Sequence, residues 1–142
     1  MISIDTKHFG PIQIEEHDVV IFPEGIPGFE GSRRFTLLGK NDGAAPFFWL
    51  QSLDQPDVSL VVMDPFAIYD QYSVEVADEE LNVLAINDPE RIMTLCVVVI
   101  PEDVKQIRAN LKAPILINLE NNIGKQVMQH NDALPIRYFL LQ

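Results

Sequence analysis

Apolar and polar residues alternate with a period of two along most of this chain. "ISIDTK" sets Ile2, Ile4 and Thr6 on one face, and "PIQIEE" does the same with Ile12 and Ile14. The Gly10–Pro11 pair between them marks a turn, so the two runs predict a hairpin. "DVVIF", "RRFTLLG", "FFWLQSL" and "VSLVVMD" read as further short strands, with "KNDGAAP" and "DQPD" as turns. "PFAIYDQYSVEV" starts on a proline and then alternates. "IMTLCVVVI" is the most apolar run, short and rich in β-branched residues, which predicts a buried strand. "APILINL" and "IGKQVMQ", joined by "ENN", predict a terminal hairpin, and the apolar ending "LPIRYFLLQ" is expected to dock on the body.

One segment departs from this period. "VADEELNVLAI" spaces Val76, Leu81, Leu84 and Ala85 near a helical repeat, with Asp78, Glu79 and Glu80 at its start. Acids in a first turn complement the helix dipole, so a short helix is expected over 78–84. "PEDVKQI" predicts one helical turn with Pro101 at its start. About ten short strands and one short helix give a mainly β fold, a small, partly open β-barrel. No low-complexity linker interrupts it, so residues 1–142 are expected to form a single domain.

A chain of 142 residues can bury about 70% of its unfolded surface, so it needs no disulfide or metal to hold a core. The single cysteine fits a reducing compartment. No signal peptide opens the chain and no run is long enough to span a bilayer, so a cytoplasmic protein is expected.

The formal charge is −11, which disfavours direct binding of nucleic acid. Its location says more. Eleven of the 21 acids lie between Asn41 and Glu90, where there is no Lys or Arg. The ten other acids balance the ten basic residues. Such a segment is either a solvated surface or an acidic face that attracts a basic partner or repels nucleic acid.

No catalytic or metal-binding pattern stands out in the sequence. His8, His17 and His130 show no ligand spacing. Cys96 sits in an apolar strand and reads as an inert core thiol. "DEE" at 78–80 lacks the alternation and glycine of a calcium loop. The chain is therefore read as non-enzymatic, with no cofactor, metal or catalytic residue. "FPEGIPGFEGSRRF", at 22–35, carries Gly25, Gly28 and Gly31 but no Gly-Lys-Ser/Thr, and its Glu24 and Glu30 do not suit a phosphate. Its prolines restrict φ and its glycines permit φ > 0, which makes it a succession of turns. Ile26 and Phe29 within it either fold back to plug the end of the barrel or face a partner.

"FPEGIPGFE" followed by a strand, then "FFWLQSLDQPDVSLVVMDPF", and later "NLKAPILINLENNIGKQV", resembles the bacterial flagellar assembly factor FliW family over most of the chain. The resemblance implies a non-enzymatic β-barrel with two protein partners in turn. One is flagellin, through its C-terminal region. The other is CsrA, a translational regulator that represses flagellin mRNA and is antagonised when this protein is free of flagellin. On this reading Ile26, Phe29, Ile123 and Val127 are candidates for an apolar groove that takes flagellin. Asp54 and Asp57 in one turn, and Asp78, Glu79 and Glu80 at the helix start, are candidates for an acidic face toward CsrA. The alternative is a small-molecule-binding barrel, or an enzyme, with a pocket in the barrel mouth.

Overall fold

The computed structural model describes residues 1–39 and 47–141. The expected "KNDGAAP" turn lies wholly outside them. Strands β1 (Ile2–Thr6) and β2 (Gly10–Ile14) form the predicted hairpin, pairing Ile2 with Ile14 and Ile4 with Ile12. Gly10 and Pro11 belong to the second strand rather than to the turn. The Thr6 hydroxyl closes the turn instead, accepting from Phe9 N–H at 2.8 Å and donating to Gly10 O at 2.8 Å. This hairpin is a separate two-stranded sheet. It meets the rest through the Phe9 and Trp49 rings, edge to face at 5.6 Å, and through Lys7 N–H on Pro56 O at 3.0 Å.

The other nine strands of the described residues share one sheet. They are β3 (Val19–Ile21), β4 (Arg34–Gly39), β5 (Phe48–Ser52), β6 (Ser59–Met63), β7 (Ile92–Val99), β8 (Arg108–Ala109), β9 (Ile115–Asn118), β10 (Ile123–Gln126) and β11 (Tyr138–Phe139). Seven of them, in the order β7-β6-β5-β4-β3-β10-β9, close on themselves because β9 also pairs with β7. The expected barrel is therefore present, with eleven strands among the described residues in place of about ten and a ring that closes. The long β7 makes closure possible. Its first half pairs with β9, through Ile92↔Asn118 to Leu95↔Ile115, and its second half pairs with β6 and β8. β10 and β3 form a parallel contact, Ile123 opposite Ile21.

The barrel interior holds Val20, Phe22, Phe35, Leu50, Val62, Leu95, Ile115 and Ile117, all buried. Two smaller clusters lie outside the ring. One gathers Met63, Tyr72, Cys96, Val98, Ala109, Leu111 and Leu134. The other sets Leu84 against Leu116 and Val127.

The segment 64–77 covers the first of these clusters, and it is not a strand. Asp64 accepts from Phe66 N–H at 2.9 Å and caps a 3-10 turn, Pro65–Ala67. Gln71 takes a φ of +61°. The Tyr72 hydroxyl donates to Leu111 O at 2.7 Å, and Gln129 Nε2 donates to Ser73 O at 2.7 Å. Tyr72, Val74 and Val76 alternate because they pack inward from an extended strap, not because the backbone pairs.

The expected helix is α1 (Asp78–Leu81), continued by a 3-10 turn, Asn82–Leu84. Its last carbonyl, Leu84 O, accepts from Asn118 Nδ2 at 2.8 Å and Asn121 Nδ2 at 3.0 Å. The helical turn expected from Pro101 begins later, at Val104–Gln106, where Asp103 caps Lys105 N–H at 3.0 Å. The C-terminal ending docks as β11 on β8, as its apolar character implies. No helix among the described residues is long and apolar enough to cross a membrane.

Candidate protein-binding surfaces

The "FPEGIPGFEGSRRF" stretch is a chain of turns built over one mouth of the barrel. Gly25 N–H donates to Phe22 O at 2.9 Å, Phe29 N–H to Ile26 O at 2.8 Å, and Ser32 N–H to Phe29 O at 3.0 Å. Gly25 and Gly28 have φ of +72° and +91°, which a side chain would strain. Phe22, fully buried, meets Phe35 edge to face at 5.3 Å. Ile26 packs in the same core, so it plugs the barrel end.

The loop is held at both ends by acids predicted to face a partner. Asp54 Oδ2 accepts from the backbone N–H of Arg33 at 2.8 Å and of Arg34 at 3.0 Å. Its Oδ1 takes the Arg34 guanidinium at 2.9 Å. Burial alone would push the Asp54 carboxyl up. The two N–H donors and the guanidinium outweigh it and hold the carboxyl below the usual range. At the other end Lys125 on β10, its side chain largely buried, lies 3.5 Å from Glu24 and 3.1 Å from Glu80. It ties the loop to α1.

The acidic clusters are thus only partly available. Asp54 and Glu80 are neutralised by Arg34 and Lys125, bases from outside the acidic segment. Asp57, Asp78 and Glu79 are exposed and make no ion pair among the described residues. The loop lies between the two clusters and touches both, Asp54 through Arg33 and Arg34, Glu80 through the shared lysine.

Above the plugged mouth is a depression of about 320 Å³. Ile26, Leu60 and Val97 line it, with Phe29, Val99 and Ile136 around it. Those last three are exposed, to 37%, 46% and 58%, and so form an apolar crest. Arg108 and Arg137 stand beside it, two of only ten basic residues in the chain. A neighbouring depression of about 430 Å³ shares Pro27, Asn110 and Gln126 with the first and adds Val127 and the exposed Met128. Of the four residues expected to line an apolar groove, Phe29 alone is exposed at this crest. Ile26 and Val127 are each 2% exposed and lie beneath the surface. Ile123 packs, half-buried, against the Leu84 cluster. Val99, Met128 and Ile136 were not singled out from sequence, because exposure of an apolar residue leaves no mark on the alternation.

The opposite mouth carries a depression of about 400 Å³ lined by Leu37, Phe48, Phe66, Ile92, Met93 and Leu95. Asp64 and Thr94 are its polar side chains. The interior is less purely apolar than the strand sequences suggest, since Gln51, Ser52, Thr36, Asn118 and Gln129 are buried. Gln51, Ser52, Asn118 and Gln129 tie backbone together. Gln51 Nε2, for example, donates to Ser52 O, Pro56 O and Val58 O at 3.0 to 3.2 Å. None of them lines the depressions described here. Burial, followed by the charge of Asp64, pushes the Cys96 thiol up to about 12. Among the described residues no three His, Cys, Asp or Glu side chains gather as metal ligands would.

A family model described as "FliW protein" matches residues 3–140. A flagellar assembly factor FliW from Caldanaerobacter subterraneus subsp. tengcongensis is 43% identical over 141 residues, 99% of this chain and 94% of that protein. One from Caldicellulosiruptor saccharolyticus is 38% identical over 139 residues, 98% of this chain and 90% of its own length. A crystal structure of the flagellar assembly factor FliW superposes with a TM-score of 0.90 at 33% identity, over 99% of this chain and 98% of that one.

Proposed function

Because this chain belongs to the FliW family of flagellar assembly factors, we propose that it acts by binding two proteins in alternation, flagellin and the translational regulator CsrA. The observation that carries this reading is the apolar crest of Phe29, Val99 and Ile136 at the plugged mouth. An amphipathic helix from the C-terminal region of flagellin would bury its apolar stripe there. Arg108 and Arg137 would then meet acids on the flanks of that helix.

CsrA binds RNA and is basic where it does so. The carboxylates left free by the fold, Asp57, Asp78 and Glu79, support a role for the acidic side in attracting it. While flagellin occupies the crest, CsrA is left to repress flagellin mRNA. Once flagellin is exported, the free protein binds CsrA and relieves that repression. The reading requires no catalysis, no cofactor, no membrane and no direct contact with nucleic acid, and it places the protein in the cytoplasm.

Calorimetry tests the first contact. Flagellin without its C-terminal segment should not bind, and Val99→Asp with Ile136→Asp should weaken full-length flagellin about tenfold or more. Unchanged affinity in both arms rejects the crest. RNA release from CsrA, measured at two salt concentrations, tests the second. Asp78→Lys with Glu79→Lys should impair it, more so at low salt.

A further inference from the structure

The barrel wall is incomplete at its second mouth. The pairing of β6 with β7 runs Val61↔Val98, Val62↔Val97, Met63↔Cys96, and stops there. β7 continues for four more residues, to Ile92, with β9 as its strand partner on one side. In the same register Pro65 would stand opposite Thr94. Proline has no N–H to give, and Asp64 turns the chain away into the 3-10 turn.

The direction of the backbone groups along β7 follows from two hydrogen bonds. Val97 O accepts from Asn110 N–H and Arg91 O from Leu119 N–H, each at 2.9 Å, both on the β8–β9 side. Odd-numbered residues of β7 therefore face β8 and β9, and even-numbered ones face the gap. Ile92 N–H is used in the preceding 3-10 turn, on Pro89 O. Ile92 C=O and both backbone groups of Thr94 are left at the open edge, without a backbone partner among the described residues.

This edge lies between two depressions, of about 400 and 510 Å³, which share Phe66, Ile92 and Thr94. Phe48 and Phe66 are exposed there, to 41% and 53%. The charged side chains that line them are Asp64, Glu75 and Asp78, and among the described residues no lysine or arginine does. We propose that this edge is a strand-addition site: an extended segment of a partner protein, alternating apolar residues with lysine or arginine, pairs with Thr94 and sets its apolar side chains against Phe48 and Phe66.

The backbone of such a segment would satisfy Ile92 C=O and Thr94, and its cations would meet the three acids. A second copy of this chain is a poor occupant, because it would bring the same acids to the same edge. Only the identity of the partner rests on the reading of CsrA given above; the strand edge does not depend on it.

The test is amide exchange at Thr94 in the isotopically labelled full chain, followed by NMR. Three short synthetic peptides serve as probes: one alternating valine with lysine, one alternating valine with glutamate, and the lysine peptide with alternate amides N-methylated. The lysine peptide should slow Thr94 exchange roughly tenfold and the other two should not. No protection at saturating lysine peptide overturns the proposal. So does equal protection by the glutamate peptide, or protection that grows with protein concentration alone. CsrA is titrated in parallel. If it binds while neither it nor the lysine peptide protects Thr94, the edge fails and the proposed function stands. If the lysine peptide protects and CsrA does not bind, the edge stands and that reading of the partner falls.

Discussion

Gly124 sits on β10 directly beneath the Phe22 ring, and its replacement by alanine gives a sharp test of how the 22–35 loop is anchored. A Cβ on Gly124 would lie 2.6 Å from Phe22 Cζ, 2.8 Å from Cε2 and 3.0 Å from Cε1. Ordinary carbon contacts are about 3.5–4.0 Å, so the ring must retreat by about 1 Å. It has little room, being fully buried with Phe35 at 5.3 Å on another side. Overpacking of this kind costs about 1–3 kcal/mol. Replacing a strand glycine by alanine returns about 0.5–1 kcal/mol of backbone entropy. The net is about 1–2 kcal/mol of destabilisation, or roughly 3–7 °C in Tm for a chain of this length. Phe22→Leu alone should also destabilise, since it leaves a small cavity. Combined with Gly124→Ala it should cost less than the two changes added, by about 1 kcal/mol or more, because the shorter side chain vacates the clashing volume. Thermal melts of the four proteins decide it. A Gly124→Ala protein as stable as wild type, or strict additivity in the double mutant, would refute the packing argument.

Asp54→Asn should lower Tm by a few degrees at neutral pH, since about 1–2 kcal/mol of charge-assisted bonding is lost. The folded Asp54 carboxyl is held below its unfolded value, so its contribution is present above the unfolded pKa and disappears as pH falls through the folded one. The gap between mutant and wild type should therefore narrow in melts below about pH 3, and a gap that stays constant would contradict the assignment. Lys125→Ala should destabilise by leaving Glu24 and Glu80 without their shared cation, and added salt should shrink the loss. An effect that grows with salt would mean that the lysine acts by packing alone. Chelator and reductant should leave Tm unchanged, and a drop of many degrees with chelator would reveal a metal site.

Much of the barrel was legible because its strands have one face inward. Phe35 and Leu37, Leu60 and Val62, and Ile115 and Ile117 recur at a spacing of two and all face the barrel core, although Thr36 and Leu116 between them are buried as well. The strap at 64–77 alternates for another reason, and period alone does not separate the two. Here Asp64–Pro65 was the useful signal, a cap followed by a residue that cannot donate. The two-residue strands β8 and β11 are too short to show any period. Ring closure depends on residues such as Leu95 and Ile115 meeting across a three-residue excess of chain between β8 and β9, which no local pattern records. The acidic segment was visible as charge, but its availability was not. Arg34 and Lys125 neutralise Asp54 and Glu80 from 20 and 45 positions away, outside any window in which charge is counted.

The parallel contact of β3 with β10 has a consequence for how the protein is made. Val19–Ile21 emerges early from the ribosome, yet its second neighbour, Ile123, is synthesised about 100 residues later, a delay of roughly 5–20 s. Through that interval the ring stands as an open curl, with β3 bare along one margin and the first half of β7 awaiting β9. The hairpin Ile115–Gln126 is the last piece and enters both gaps at once. Closure is then a single late event with high contact order, which favours slow, all-or-none folding. A nascent chain halted before residue 115 would expose two unpaired strand margins and the core they should cover, and such a fragment would depend on chaperones to stay out of aggregates.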